Sequence, residues 1–414
     1  MSIDRRDFIK LGALGALAFA ENPKELLRQD AGQIPNMAKQ AKPITREEYV
    51  ERQERARRYM REAGINAVML TGGTSLNYFT GTQWGTSERM FAALIPAKGE
   101  LAFVTPAFEK DRAMEQIKFA GDVRTWEEDE SPYQLVAQVL KDRGITAGKL
   151  GIEETVDYRF SNGVARVAPA IELTSADPVT ARCRGVKTQH ELDLMRLANQ
   201  ITLKAYDIAL KSLREGMTHV ELGQKIAAAH RELGAGGSAL VLFGAWSASP
   251  HGTVTPQKLK EGDIVLVDGG CSVMGYQSDI TRTTVFGKPS EKQLKVWDIV
   301  KRAQAAALKA ARPGVACEDI DAAARRVIEE AGYGPGYKYF THRVGHGIGM
   351  DGHEWTYLVR GNQTKLEAGM TFSDEPGIYI PGEFGVRHED IMVVTEKGAE
   401  LFTGQAASID NPCN

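Results

Sequence analysis

Residues 268–283 read DGGCSVMGYQSDITRT, and the rest of the chain takes its meaning from them. An aliphatic run, Ile264-Val265-Leu266-Val267, ends in Asp268 before a glycine pair. Ser278-Asp279-Ile280-Thr281-Arg282-Thr283 then reads as the return arm of a tight strand-turn-strand. Side chains alternate along a strand, so Asp279, Thr281 and Thr283 share one face. Asp268 and Asp279 can then face one point. Two carboxylates that close repel, and one stays protonated unless a cation lies between them. A lone aspartate before Gly269-Gly270 would be an ordinary turn former; the second one argues for more.

Three further donors lie downstream. His346 stands between Gly345 and Gly347, which lets the backbone come close and leaves the imidazole unobstructed. Glu375 precedes Pro376-Gly377, so the chain turns just after its carboxylate. Its neighbour Asp374 should point to the opposite face. In Gly385-Val386-Arg387-His388-Glu389-Asp390, alternation groups Arg387 with Glu389 and turns His388 away. The resulting set of Asp268, Asp279, His346, Glu375 and Glu389 is rich in oxygen, with a single nitrogen and no thiolate. That excludes a cysteine-based structural zinc site and suits manganese, iron, cobalt or catalytic zinc. Two cations among bridging carboxylates can hold a hydroxide and polarise a carbonyl, so hydrolysis of an amide is the natural reaction class.

Composition bounds the remainder. A length of 414 residues predicts more than one domain. The net charge of −3, without a basic block, argues against a nucleic-acid partner. Cys183, Cys271, Cys317 and Cys413 show no CxxC spacing, and so indicate neither a zinc knuckle nor a disulfide framework. At the N-terminus, Arg5-Arg6 with Phe8 and Lys10 precedes an uncharged run over 11–20 that closes Ala18-Phe19-Ala20. These are the parts of a twin-arginine-type export signal, cleaved after Ala20, which places the mature protein in the periplasm. The run is far short of the ~20 residues a membrane-spanning helix needs. No stable membrane insertion is therefore expected after the signal is removed.

Along the chain, residues 21–44 read as a linker. Thr45-Arg46-Glu47-Glu48 is a capping box opening a helix that Gly64 stops. Short apolar strands follow over 67–70, 91–95, 101–105, 123–126 and 150–152, with helices over 107–118 and 132–143, predicting an α/β domain over 45–185. Capping boxes at Thr188 and Thr218 open two more helices. Strands and hairpins, with helices over 290–311 and 318–331, then predict an α+β domain over 186–408.

With these positions in view, the sequence resembles the pita-bread metallopeptidases, above all the proline peptidases (Xaa-Pro dipeptidase and aminopeptidase P). The resemblance is carried by PHGTVTPQKLKEGDIVLVDGG (250–270), GYQSDITRT (275–283), HRVGHGIGMDGHE (342–354), DEPGIY (374–379), GVRHED (385–390) and KTQHELDLMR (187–196). It implies a creatinase-like N-terminal domain and a pita-bread catalytic domain that hydrolyses Xaa-Pro bonds by attack of a hydroxide bridging two divalent metals, Mn²⁺ first among them. Asp268 would chelate one metal, Asp279 and Glu389 would bridge the two, and His346 and Glu375 would complete the second. Glu375 would also handle the proton of the bridging water. The resemblance further implies that His251 lies near the scissile bond and that His342 and His353 orient substrate or stabilise the tetrahedral intermediate. Arg387 would support the bridging glutamate, and Thr281 would bond the ligand carboxylates. A homodimer and a proline-containing peptide substrate are also implied, with Trp84 a candidate for the wall of the partner's site. His388 stands where the family has an aliphatic residue, and the family often has a proline near Thr356. Two other readings keep the fold: a small-molecule hydrolase or lyase, of the ectoine-derivative hydrolase or sulfonium lyase type, and a non-catalytic peptide-binding module. The complete donor set disfavours the last.

Overall fold

The capping box at Thr45 forms as its sequence predicts: the Thr45 hydroxyl accepts the Glu48 amide while the Glu48 carboxylate accepts the Thr45 amide. Gly64 closes the helix in the left-handed conformation, at φ 66°. These features belong to a computed structural model describing residues 35–119 and 121–414. The export signal expected over 1–20, and the linker as far as residue 34, lie outside the described residues.

After α1 (Arg46–Ala63) come β1 (Ala67–Thr71), α2 (Thr74–Thr80), β2 (Ala92–Pro96), β3 (Ala102–Pro106) and α3 (Lys110–Gln116). β4 (Asp122–Trp126), α4 (Pro132–Asp142), β5 (Gly148–Ile152), α5 (Tyr158–Val167), β6 (Ile171–Ser175) and α6 (Thr180–Gly185) complete the N-terminal half. The six strands form one mixed sheet, ordered β4-β3-β2-β1-β5-β6. Alternation splits β1 between two cores. Val68 and Leu70 pack with Met60 and Leu76 on one face; Ala67 and Met69 pack with Val136 and Phe160 on the other. This is an α/β layer structure. Trp84 is buried within it, stacked on Phe91 at 4.2 Å between ring centroids, which gives it a packing role in this chain's own core.

The C-terminal half opens with α7 (Gln189–Leu210) and α8 (His219–Glu232), each started by the capping box expected for it. Then come β7 (Gly236–Phe243), β8 (Ile264–Val273), β9 (Tyr276–Gln277), β10 (Ile280–Val285), α9 (Glu291–Ala310) and α10 (Cys317–Glu330). The last strands are β11 (Gly345–Gly347), β12 (Glu354–Leu358), β13 (Thr371–Asp374), β14 (Gly377–Ile380), β15 (Phe384–Arg387), β16 (Asp390–Thr395) and β17 (Gly398–Leu401). One sheet runs β10-β8-β7, with β9 on β8. A second runs β12-β11-β13-β16-β17, and β14 and β15 form a hairpin. Ile264 and Leu266 of β8 pack toward α9 and α10, while Val265 and Val267 face α7 and α8. Residues 37–44, read from sequence as linker, pack on this half: the Ala38 amide bonds the Leu233 carbonyl, and Ala41 and Ile44 join the core around α7.

The register of the 264–285 hairpin is uniform. Val273 pairs with Tyr276, Ser272 with Gln277, Gly269 with Ile280 and Asp268 with Thr281. The two-residue turn between the arms holds Met274 at φ 51° and Gly275 at φ 88°, and two consecutive positive φ values are the type I′ signature. The hairpin is tied down from α7, where the Tyr206 hydroxyl donates toward the Gly269 and Ile280 carbonyls.

Behind the hairpin, His230 of α8 is fully buried, bonded to the Ile226 carbonyl and the Thr202 hydroxyl. Burial pushes its imidazole down from 6.5 to about 4, against the smaller upward pull of the Ile226 carbonyl. The folded state therefore keeps His230 neutral where the unfolded chain takes a proton. A depressed folded pKa contributes stability that is complete above about 6.5 and is lost as pH falls toward 4, about 2–3 kcal/mol by pH 4.5. Denaturant titrations at pH 7.5 and 4.5 should show this loss, and His230→Gln should shrink it. Equal pH dependence in the two proteins would remove His230 from the account.

Candidate metal centre

Thr281 organises the site through the backbone. It pairs with Asp268 across the hairpin, and on its other side forms an isolated bridge with Glu389, whose amide bonds the Thr281 carbonyl at 3.2 Å. Opposed residues of neighbouring strands project their side chains to the same face. Asp268, Thr281 and Glu389 consequently stand in a row, joining the first sheet to the segment between β15 and β16. The Thr281 Oγ1 lies 2.8 Å from Asp268 Oδ1 and 2.6 Å from Glu389 Oε2. A hydroxyl has one proton to donate, so it serves one carboxylate at a time. Asp279, just before β10, follows Thr281 by alternation onto the same face.

The second sheet brings the remaining donors. β11 carries His346 between glycines because neighbouring backbone crowds it: a Cβ at Gly345 would sit 2.0 Å from the Ser373 carbonyl oxygen, and one at Gly347 2.8 Å from that of Glu354. Glu375 leaves β13 with Ser373 donating to its Oε1 at 3.1 Å. All five expected donors converge. The donor atoms of Asp268, Asp279 and Glu389 lie within 4.8 Å of one another, as do those of His346, Glu375 and Glu389. Glu389 belongs to both sets. Asp279, His346 and His353 form a third set by the same measure.

The electrostatics call for positive charge. Arg387, expected beside the bridging Glu389, donates to Asp268 instead. Burial raises the Asp268 carboxyl most, but the Arg387 charge and the hydrogen bonds of Thr281, Glu389 and Arg387 together hold it below its ordinary range. Burial and the neighbouring carboxylates push Asp279 and Glu389 well up, and burial raises Glu375 to about 7. Burial and the adjacent His353 press His346 down to about 3, so its ring is neutral. Its Nδ1 bonds the Gly347 carbonyl at 3.0 Å and must carry the proton. The lone pair of Nε2 then points at Glu375 Oε1, 3.3 Å away, and toward Asp279 Oδ2 at 3.9 Å. Acceptors facing acceptors in a buried site are tolerable only with a proton or a cation between them. The donor set therefore fits divalent metal.

The supporting residues are placed unevenly. His342 Nδ1 donates to the Arg343 carbonyl and its Nε2 accepts from the Tyr379 hydroxyl, both at 2.7 Å; Tyr379 in turn accepts from Arg387 at 2.8 Å. His353 is exposed but stacks on His346, with centroids 3.8 Å apart and an interplanar angle of 18°. His251 is exposed, and its neighbour Pro250 is held to the site through the Arg387 guanidinium at 3.3 Å. The two decoys point away. His388 is buried against Trp297, bonding that residue's carbonyl, and Asp374 is buried beside Asp390.

Two sequence patterns match this layout. The pattern of metallopeptidase family M24 matches residues 193–396, and that of the creatinase/prolidase N-terminal domain matches residues 52–186. An uncharacterized peptidase of Schizosaccharomyces pombe is 36% identical over 400 residues, covering 92% of this chain and 86% of its own. The chain belongs to metallopeptidase family M24. Solved structures agree in fold. Dipeptidase PepE from Mycobacterium ulcerans superposes with a TM-score of 0.81 at 35% identity, over 88% of this chain and 97% of that one. A prolidase from Thermococcus sibiricus gives 0.79 at 33%, over 86% and 97%. The architecture is thus a creatinase N-terminal domain followed by a pita-bread catalytic domain, and the protein is a peptidase.

Sequence reasoning missed Tyr379 and Tyr206 in this metallopeptidase. A signal for Tyr379 existed: Glu375, Gly377 and Tyr379 are two apart and share a face if the strand runs through Pro376. Tyr206 reaches the hairpin across 63 residues of chain and carried no local mark.

Proposed function

We propose that this chain is a dinuclear metal-dependent exopeptidase that hydrolyses Xaa-Pro bonds in di- or oligopeptides. The observation that carries the reading is the pair of overlapping donor sets sharing Glu389. Asp268, Asp279, His346, Glu375 and Glu389 would hold two divalent cations, Mn²⁺ being the first to test. Bound there, the ions supply Lewis acidity at the scissile carbonyl and lower the pKa of water. The chain's own residues do the rest. Glu375 is placed to take the proton of the attacking water and return it to the leaving nitrogen. Arg387 holds Asp268 in its ligating orientation, and the Arg387–Tyr379–His342 chain fixes the His342 tautomer beside Glu375. His353, stacked on His346, and His251 at the rim are positioned to contact the peptide. The prolidase likeness supports proline specificity. A homodimer belongs to the same proposal, as does export: a periplasmic chain beginning at Glu21 would verify the signal.

The test is turnover by the purified full chain, with and without added Mn²⁺, of Ala-Pro, Xaa-Pro-Yaa peptides and matched peptides lacking proline. Cleavage before proline alone supports the reading. Cleavage of the other peptides alone refutes the specificity, and bound metal without any peptide turnover redirects attention to small-molecule substrates.

A further inference from the structure

Where the N-terminal half hands over to the catalytic half, two cations meet the loop that carries His353. Arg184, in the last turn of α6, donates to Glu354 Oε1 at 2.6 Å and to Asp351 Oδ2, and reaches the Ser75 hydroxyl at 3.1 Å. Lys187, just before α7, donates to Glu354 Oε2 at 3.1 Å. Thr74, at the start of α2, donates to the other oxygen of Asp351. The Glu354 carboxylate is buried and folds its own loop: its Oε1 also accepts the Met350 amide at 2.9 Å and the Asp351 amide at 3.2 Å. Burial opposes its ionisation, yet the charges of Lys187 and Arg184 outweigh that and hold it down at about 2.

His353 rides on this loop one residue before Glu354. It faces solvent on one side and His346 on the other, and shares with Arg184, Asp351 and Glu354 the lining of a small cavity of about 20 Å³. An exposed imidazole on an unsupported loop would sample many orientations. Here both ends of its turn are pinned to a different domain.

We propose that Arg184 and Lys187 are positioning residues that act on the reaction through His353, by clamping Glu354 and Asp351 and so fixing the loop from 348 to 354. The proposal rests on the peptidase reading for its kinetic consequence; the clamp itself rests on the contacts. Orientation errors of about 1 Å cost on the order of 100-fold in rate, so Arg184→Gln should lower kcat by ~10–100-fold. Metal content should stay at the wild-type level, since Arg184 touches none of the five donors. In a His353→Ala background the same substitution should cost less than ~2-fold, because residues acting as one unit are not additive. Arg184→Lys, which retains charge but cannot reach three acceptors at once, should recover part of the loss. If Arg184→Gln fails to fold, Thr74→Val and Lys187→Met carry the same cycle.

Equal fold-losses in the two backgrounds, or no loss in either, would overturn the proposal. Hydrogen exchange supplies a readout independent of turnover. The Met350 and Asp351 amides should exchange faster in Arg184→Gln while those of β16 do not, and unchanged protection at 350 and 351 also overturns it. An inactive wild type would instead sink the peptidase reading and leave the clamp to be judged by exchange.

Discussion

Asp279→Ala is expected to lose at least about 1,000-fold in kcat/KM on an Xaa-Pro peptide, the equivalent of the several kcal/mol that a Lewis-acidic ion contributes to a transition state. Asp279 shares a donor set with Asp268 and Glu389 and another with His346. Its removal therefore disturbs both halves of the centre, and bound metal should fall below the wild-type stoichiometry. The fold should survive. The half-buried carboxyl is raised well above its ordinary range by desolvation and by Asp268 and Glu375, so without metal its removal relieves strain. Elemental analysis and thermal melting of the metal-free proteins separate the two effects. An Asp279→Ala protein that binds full metal and turns over at more than a tenth of the wild-type rate would discard the assignment.

The second large effect concerns stability. Arg282 lies on the face of β10 opposite Thr281 and is among the largest fully buried side chains. It pairs with Asp390 at 2.6 Å and bonds the carbonyls of Thr281, Glu389 and Gly404. Asp390 also accepts from Thr403 and Gln304. Removing one partner of a buried, bonded pair leaves an uncompensated charge and costs about 3–5 kcal/mol. Arg282→Met should lower stability by that amount in chemical denaturation. Adding Asp390→Leu should return part of it, because the stranded carboxylate is then gone. A double variant as unstable as the sum of the singles would show that no such coupling exists.

Arg282 also shows what the sequence could and could not disclose. Alternation along SDITRT correctly placed Asp279, Thr281 and Thr283 together and, by implication, Arg282 on the other side. That rule says which way a side chain points, and nothing about what it meets. Asp390 lies 108 residues away, and Glu354 lies 170 from Arg184. Such pairings depend on how layers dock, and no local pattern records them. Capping boxes, by contrast, are complete within four residues, and those at Thr45, Thr188 and Thr218 all form as read. The donors were legible for an intermediate reason: each sits where a local rule, alternation or a glycine or proline neighbour, leaves it an unusual setting. The motifs they belong to are also specific to the family. The linker before Thr45 misled because its lack of periodicity hid Ala38, Ala41 and Ile44, which pack by tertiary contact alone.

The turn at Met274–Gly275 has a consequence for how this enzyme can vary. Every rung of the hairpin from 264 to 285 inherits its alignment from that reversal, because the arms stay in one register from the turn to Asp268 and beyond. A strand displaced by one residue presents its opposite face. One residue gained or lost at the turn would rotate Asp279 and Thr281 out of the centre and swing Arg282 into it, without altering a single donor. The tip tolerates only residues that accept positive φ, and its length tolerates no change at all. Counting residues between Asp268 and Asp279 is in effect measuring the gauge to which the metal centre is cut.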